Sequence, residues 1–263
     1  MNFAMNARDR IHRALRNSAP APSGRAAQPL PSAPGAPALN EALFRTVPAD
    51  TPHERLLALF GQRLRETGGE MLPPVQASGL AAALRAFIES EGVQRIVADD
   101  EILPLLNSAN GPPVSRSGAG EKTAGNQPPP APDGAAVTPA GTASREALFA
   151  AEIGITTAQC AVAETGTIVL HYAPGRARLT SLAPPLHLVL LPVERLVPDL
   201  IEAVRDFGDG SGAVWITGPS KTADIGGILV RGIHGPGRIV VLPVRDYGKA
   251  VRRDRGPEWG SGG

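Results

Sequence analysis

Glu164 stands in the tripeptide Glu164-Thr165-Gly166, between the apolar runs Cys160 to Ala163 and Thr167 to His171. A carboxylate at such a turn can cap the turn or orient a ligand. A second polar group, Gly218-Pro219-Ser220-Lys221-Thr222-Ala223-Asp224, follows the apolar run Val214 to Thr217. Ser and Thr after Gly-Pro predict a strand that hands over to a helix at a sheet's carboxyl edge. The unpaired N–H groups of Ser220, Lys221 and Thr222 would then hold an anion, with Lys221 adding a point charge. The same residues also fit a plain helix cap with Lys221 in solvent. Asp224 would complement the dipole of the first helical turn, or grip Lys221 or a substrate hydroxyl.

Arg176 and Arg178 share the loop after Gly175 and suit bidentate recognition of a carboxylate or phosphate, although loop arginines are also commonly solvated. His234, within Gly232-Ile233-His234-Gly235-Pro236-Gly237, has room beside it for a ligand and titrates near neutrality; a histidine packed on its own loop is the alternative. His187, inside an apolar run, reads as a core histidine. Glu164 and His234 are the candidate catalytic residues, and Arg176, Arg178, Gly218, Ser220, Lys221, Thr222 and Asp224 the candidate ligand-binding ones. For one pocket to hold them, their loops must meet on a common rim of one sheet.

The elements that would position them alternate. Thr51 and Glu54 form a capping box that opens a helix with Leu56, Leu57, Phe60 and Leu64 on one face, closed near Gly68-Gly69. A brief strand from Met71 to Val75, a helix from Ser78 with Leu80, Leu84, Phe87 and Ile88 inward, and the strand Arg95 to Ala98 follow. Helix, strand, helix, strand predicts parallel pairing through right-handed crossovers. A helix over Ser144 to Glu152 turns Leu148 and Phe149 inward. The next two runs are too close for a crossover and predict a hairpin or a bent strand around Gly166. Leu186 to Leu191 is uniformly apolar and central. A helix after Pro198 turns Leu200, Ile201, Val204 and Phe207 inward, and the strands Val214 to Thr217 and Ile239 to Leu242 bracket the polar turn. The expected fold is α/β, a mostly parallel open sheet with helices on both faces.

Two stretches resist such a reading. Residues 18–40 hold six prolines and form a linker after a helical arm, 1–17. Residues 110–142 hold seven prolines and six glycines and read as a disordered insertion or surface loop. The α/β domain spans 41–245, and 246–263 forms a flexible tail.

Composition narrows the function. A net charge of +1 provides no field to draw nucleic acid or an anionic membrane. A single cysteine, Cys160, excludes an internal disulfide framework and a cysteine-based zinc or iron–sulfur site, and no His, Cys or carboxylate spacing resembles a metal site. No apolar run reaches the roughly 18 residues of a membrane span. The expected location is cytoplasmic. The phosphate-binding Gly-x-x-x-x-Gly-Lys-Ser/Thr and the nucleophile elbow Gly-x-Ser-x-Gly are both absent.

The blocks GITTAQCAVAETGTIVLHYAPGRAR from Gly154, Ser181 to His187, and ITGPSKTADIGGILVRGIHGPG from Ile216, in that order, resemble the signature of the LUD-domain family in its lactate-utilization branch. The resemblance covers roughly 145–244. It implies a fold similar to the ribose-phosphate isomerase, glucosamine-phosphate deaminase and CoA-transferase group. It also implies a part in oxidising L-lactate to pyruvate with iron–sulfur partner proteins. With no cofactor of its own, the chain would be a non-redox subunit that binds a small carboxylate or phosphate. The alternative is a standalone enzyme on a carboxylate, sugar phosphate or CoA thioester, with Glu164 as nucleophile or base.

Overall fold

The structure is a computed structural model that describes residues 46–107, 115–116, 135–205, 212–223 and 229–248. The arm over 1–17, the linker over 18–40, Asp224, Phe207 and the tail beyond 248 lie outside those residues. The first helix, α1, runs His53–Glu66 and buries Leu56, Leu57, Phe60 and Leu64. Each large side chain so buried contributes roughly 1.5–3 kcal/mol. The capping box does not form: Pro52 occupies the N-cap, and the Thr51 hydroxyl turns back to the Pro48 carbonyl at 2.7 Å. Glu54 instead pairs with Arg245.

The short strands β1 (Glu70–Met71) and β2 (Val75–Gln76) lead to helix α2 (Leu80–Glu91), which ends on the left-handed Gly92. Strand β3 (Arg95–Ala98), helix α3 (Leu103–Leu106), β4 (Ser115–Arg116), β5 (Ala136–Pro139) and helix α4 (Arg145–Ala150) follow. Then come β6 (Ile153–Thr157), β7 (Cys160–Val162), β8 (Thr167–His171), β9 (Leu186–Pro192), β10 (Leu196–Val197) and helix α5 (Leu200–Arg205). The last strands are β11 (Ala213–Ile216), β12 (Lys221–Ala223), β13 (Leu229–Arg231) and β14 (Arg238–Arg245).

Eight of these strands form a large sheet in the order β1-β14-β9-β6-β3-β5-β4, with β2 also on β14, and every pairing in it is parallel. The alternation of side chains sorts its two faces. Ile96, Ala98, Ile153, Ile155, Leu188, Leu190, Val240 and Leu242 pack with α2, the turn before α3, and α3 through Leu80, Leu84, Phe87, Ile102 and Leu106. Val189, Leu191, Ile239 and Val241 face the other way, onto Phe60 and Leu64 of α1. Val97 packs there with Leu148 of α4. Helices therefore cover both faces, as the alternating pattern requires, and the fold class is α/β.

The second face also carries a four-stranded sheet, β10-β7-β8-β11, that the periodicity did not separate from the large one. β7 and β8 form the expected antiparallel hairpin, and Ala161, Ile168 and Leu170 join the α1 core. β11 is the edge of this small sheet. Val214 and Ile216 face the core while Trp215, on the opposite side, is 39% exposed. A short all-apolar run looks buried on both sides when only one side is.

Three further expectations change. Within 110–142, the apolar end of the stretch is ordered: Ala136–Pro139 pairs in parallel with β3 along its length, and Ser115–Arg116 pairs with β5. Phe149 is 57% exposed, beneath the Arg145 guanidinium at 5.5 Å, because α4 is short and presents only Leu148 to the sheet. On α5, Ala203 faces inward while Leu200 and Val204 are exposed, since the helix lies on the outer side of the small sheet against Cys160, Val162 and Val169.

Candidate functional site

In the small sheet β10 runs parallel to β7, and β8 runs antiparallel to both β7 and β11, so β7, β10 and β11 all end on one rim. That rim gathers three of the four expected loops. The Glu164 amide donates to the Pro198 carbonyl after β10 at 3.1 Å. Hydroxyls of Thr165 and Thr167 lie 2.7 Å apart, and those of Thr167 and Thr217 2.8 Å apart, which links the Glu164 turn to the end of β11. Gly166 and Gly218 both take left-handed φ, 67° and 82°, and both press on α1. A Cβ on Gly166 would meet the Leu64 amide nitrogen at 2.6 Å, and one on Gly218 the Thr67 carbonyl oxygen at 2.7 Å. Ser220 in turn donates its amide to the Pro236 carbonyl at 2.9 Å and accepts from Gly232, which brings the His234 loop alongside.

The chemistry on this rim differs from the expectation. After Gly218-Pro219 the chain enters the strand Lys221–Ala223 and not a helix N-terminus, and that strand pairs antiparallel with Leu229–Arg231. Ser220 spends its amide on Pro236, and Thr222 sits in a ladder opposite Val230, so Ser220, Lys221 and Thr222 do not form a helix N-terminus that could cradle an anion. Lys221 donates its ammonium to the Thr67 carbonyl, at the C-terminal end of α1, where free carbonyls carry negative partial charge. Glu164 is half-buried and accepts from the Thr46 hydroxyl at 2.5 Å. His234 is exposed.

Arg176 and Arg178 lie elsewhere. Arg178 is exposed, with its guanidinium 5.7 Å from the Tyr172 ring. Arg176 donates Nη2 to Glu101 Oε2 at 2.5 Å and is largely buried, at the carboxyl edge of the large sheet. That edge holds the more perturbed chemistry. From β3 the chain adds β4 and β5 on one side, then crosses to β6 on the other, so β3 and β6 flank the point where the winding reverses. Ligands of open parallel sheets dock in the crevice at such a point.

Asp99, the first residue past β3, is 3% exposed there. Its Oδ2 accepts from the amide of Thr157, the last residue of β6, at 3.3 Å. The Thr157 hydroxyl lies 2.9 Å from the Tyr247 hydroxyl, just past β14. Asp100 closes the floor: its amide donates to Gly175, its Oδ1 accepts from Gly141, and a Cβ on Gly175 would meet its Oδ2 at 3.0 Å. Burial raises the Asp99 carboxyl to about 7, opposed by Arg176 and the Thr157 amide and reinforced by Glu101 and Asp100. Burial works against the Arg176 charge, but Glu101 and Asp99 outweigh it and hold the guanidinium firmly protonated. Burial and Glu101 also push the Tyr247 phenol up.

The sequence reading passed over Asp99 because it ended the strand at Ala98. An acid directly after the buried run Ile96-Val97-Ala98 was the available signal. His187 is fully buried with Nε2 2.8 Å from the Thr156 hydroxyl, and burial lowers its pKa to about 3, so it is a neutral core histidine. On the outer side of the small sheet a cavity of about 420 Å³ is lined by Cys160, Arg195, Glu202 and Arg205 among others. Among the described residues no three His, Cys, Asp or Glu side chains gather as a metal site, and no helix is long and apolar enough to cross a membrane.

The architecture defines an α/β protein built on a parallel sheet whose winding reverses between β3 and β6. The LUD-domain profile matches residues 118–244. It is similar to Lactate utilization protein C of Exiguobacterium sp., at 41% identity over 112 residues, 40% of this chain and 49% of that one. It is also similar to Lactate utilization protein C of Halalkalibacterium halodurans, at 38% identity over 104 residues, 36% of this chain and 45% of that one. The match thus spans about half the length of these relatives. A crystal structure of a DUF162 family protein from Deinococcus radiodurans aligns with 74% of this chain and 99% of its own, at 21% identity and a TM-score of 0.49.

Proposed function

We propose that this chain is a component of L-lactate utilization that binds a small carboxylate at the carboxyl edge of the large sheet, while iron–sulfur partner proteins carry the electrons. The observation that supports it is the largely buried Arg176, set beside Asp99 at the reversal point of the sheet, in a chain whose relatives are named for lactate utilization. Oxidising lactate to pyruvate removes a pair of electrons, which needs an acceptor. One cysteine cannot furnish the four thiolates of a usual iron–sulfur cluster, so that acceptor belongs to other proteins. A non-redox subunit of such a system works in the reducing cytoplasm.

Arg176 suits the binding role on chemical grounds. A guanidinium presents a fork of N–H donors, of which Glu101 takes Nη2, and the fork matches a planar carboxylate. Titration calorimetry of the full chain with L-lactate and pyruvate tests this. Arg176→Lys, which keeps the charge but loses the fork, is expected to weaken binding about tenfold, the worth of one charge-assisted hydrogen bond. Unchanged affinity in Arg176→Lys would remove the ligand from this edge. Partners are tested separately, by whether the chain co-purifies with iron–sulfur proteins from cells grown on lactate.

A further inference from the structure

We propose that carboxylate binding at this edge is coupled to proton uptake by Asp99, which enters the complex as a neutral carboxylic acid and donates a hydrogen bond to the bound anion. The inference rests on the reading that the ligand docks beside Arg176, and it assigns a second binding group there.

The geometry supplies the reason. Asp99, Asp100 and Glu101 are consecutive, and Asp99 and Glu101 act on a single, largely buried guanidinium, Arg176, with Arg195 felt only beyond Tyr247. Asp100 accepts from the Gly141 amide, and Glu101 Oε2 accepts from Arg176. Asp99 is the most deeply buried of the three. It receives one neutral hydrogen bond, a 3.3 Å contact from the Thr157 amide to Oδ2, which leaves Oδ1 to carry a proton. An ionised Asp99 would place two carboxylates, its own and that of Glu101, on one guanidinium and repel any incoming anion. Protonation removes that repulsion and converts an acceptor into a donor, as in apolar sites that keep a carboxylic acid neutral for this purpose. Its raised pKa, near 7, means that the proton is available at neutral pH.

Linkage sets the sign. If the anion binds the protonated form better, it raises the affinity of Asp99 for its proton by the same factor. Affinity should then be flat below about pH 6 and fall about tenfold for each pH unit well above the midpoint. The groups that face Asp99 do not mimic this: Arg176 stays protonated and the Tyr247 phenol is pushed upward, both well above this range.

The experiment is calorimetric titration of the full chain with L-lactate and pyruvate from pH 5.5 to 8.5, in pairs of buffers that differ in ionisation enthalpy. Wild type should take up nearly one proton per ligand at pH 8 and show the stated fall in affinity. Asp99→Asn, a permanent neutral donor, should bind with no proton uptake and a flat profile, and at pH 8.5 more tightly than wild type. A flat wild-type profile, or a slope that survives in Asp99→Asn, overturns the coupling while leaving the docking reading intact. Binding to neither ligand at any pH overturns both. Carbon-13 NMR of the carboxyl groups in the ligand-free chain gives an independent check: an Asp99 midpoint below pH 5 also overturns the coupling.

Discussion

Lys221 and Arg176 are both cations in polar loops, and their neighbours give them different work. The Lys221 ammonium meets the Thr67 carbonyl at the end of α1, and a Cβ on Gly68 would lie 3.3 Å from it and 3.6 Å from the Arg231 guanidinium. Two cations at a helix C-terminus stabilise it by a few tenths to about 1 kcal/mol each. Lys221→Ala should therefore lower stability by under about 1 kcal/mol in urea denaturation and leave lactate affinity unchanged. A tenfold loss of affinity would return Lys221 to the ligand site. Arg176 sits instead beside the carboxylates of Glu101 and Asp99, largely out of solvent, where a charge interacts strongly and specifically. Side-chain type alone did not separate them, because both lie in glycine-containing loops of the same family signature.

At the scale of elements, the junction between α1 and the small sheet depends on two glycine turns. Gly166 is left-handed and its missing side chain lets the β7–β8 turn touch the backbone of Arg63 and Leu64. Gly92 shares the left-handed conformation but faces open space. Gly92→Ala should cost roughly 1 kcal/mol for the strained backbone alone. Gly166→Ala adds a clash with main chain that cannot yield, so it should cost roughly 2 kcal/mol or more. Equal losses for the two variants in urea denaturation would mean that the turn does not bear on α1. The strands and helices themselves were largely legible from periodicity and glycine stops, as in α2 with Leu80, Leu84, Phe87 and Ile88 inward and Gly92 closing it. The facing of the short elements α4, α5 and β11 was not, because a helix of six residues or a strand of four has too few turns or alternations to define a side.

For the whole molecule, two buried groups oppose each other in acid. Asp99 has its pKa raised, to about 7 from 3.8, so the folded state holds a proton that the unfolded chain releases; it favours folding less as pH rises from about 4 to 7. His187 has its pKa lowered, to about 3 from 6.5, so it disfavours folding as pH falls from about 6.5 to 3. Between pH 4 and 6.5 the two contributions run in opposite directions and largely offset. Asp99→Asn removes one of them. Thermal unfolding of that variant should show a stability gain over wild type at pH 8, on the order of a few kcal/mol at most, and a steeper loss toward pH 4. Parallel stability profiles for the two proteins would show that folding does not shift the Asp99 pKa.

The α/β class, the parallel pairing, the β7–β8 hairpin and the central place of β9 follow from local patterns, since hydrophobic period and turn residues act over a few neighbours. So does the absence of a thiolate cluster, which is a matter of counting one cysteine. The division into two sheets is a different matter. So is the replacement of an expected helix by β12, whose partner strand begins six residues after it ends. The meeting of Asp99, Thr157, Arg176 and Tyr247 joins residues up to 148 positions apart, and it arises only when β3, β6 and β14 end on one edge. Long-range pairing has no local signature, and burial, which moves the Asp99 proton, exists only once those strands have closed over it.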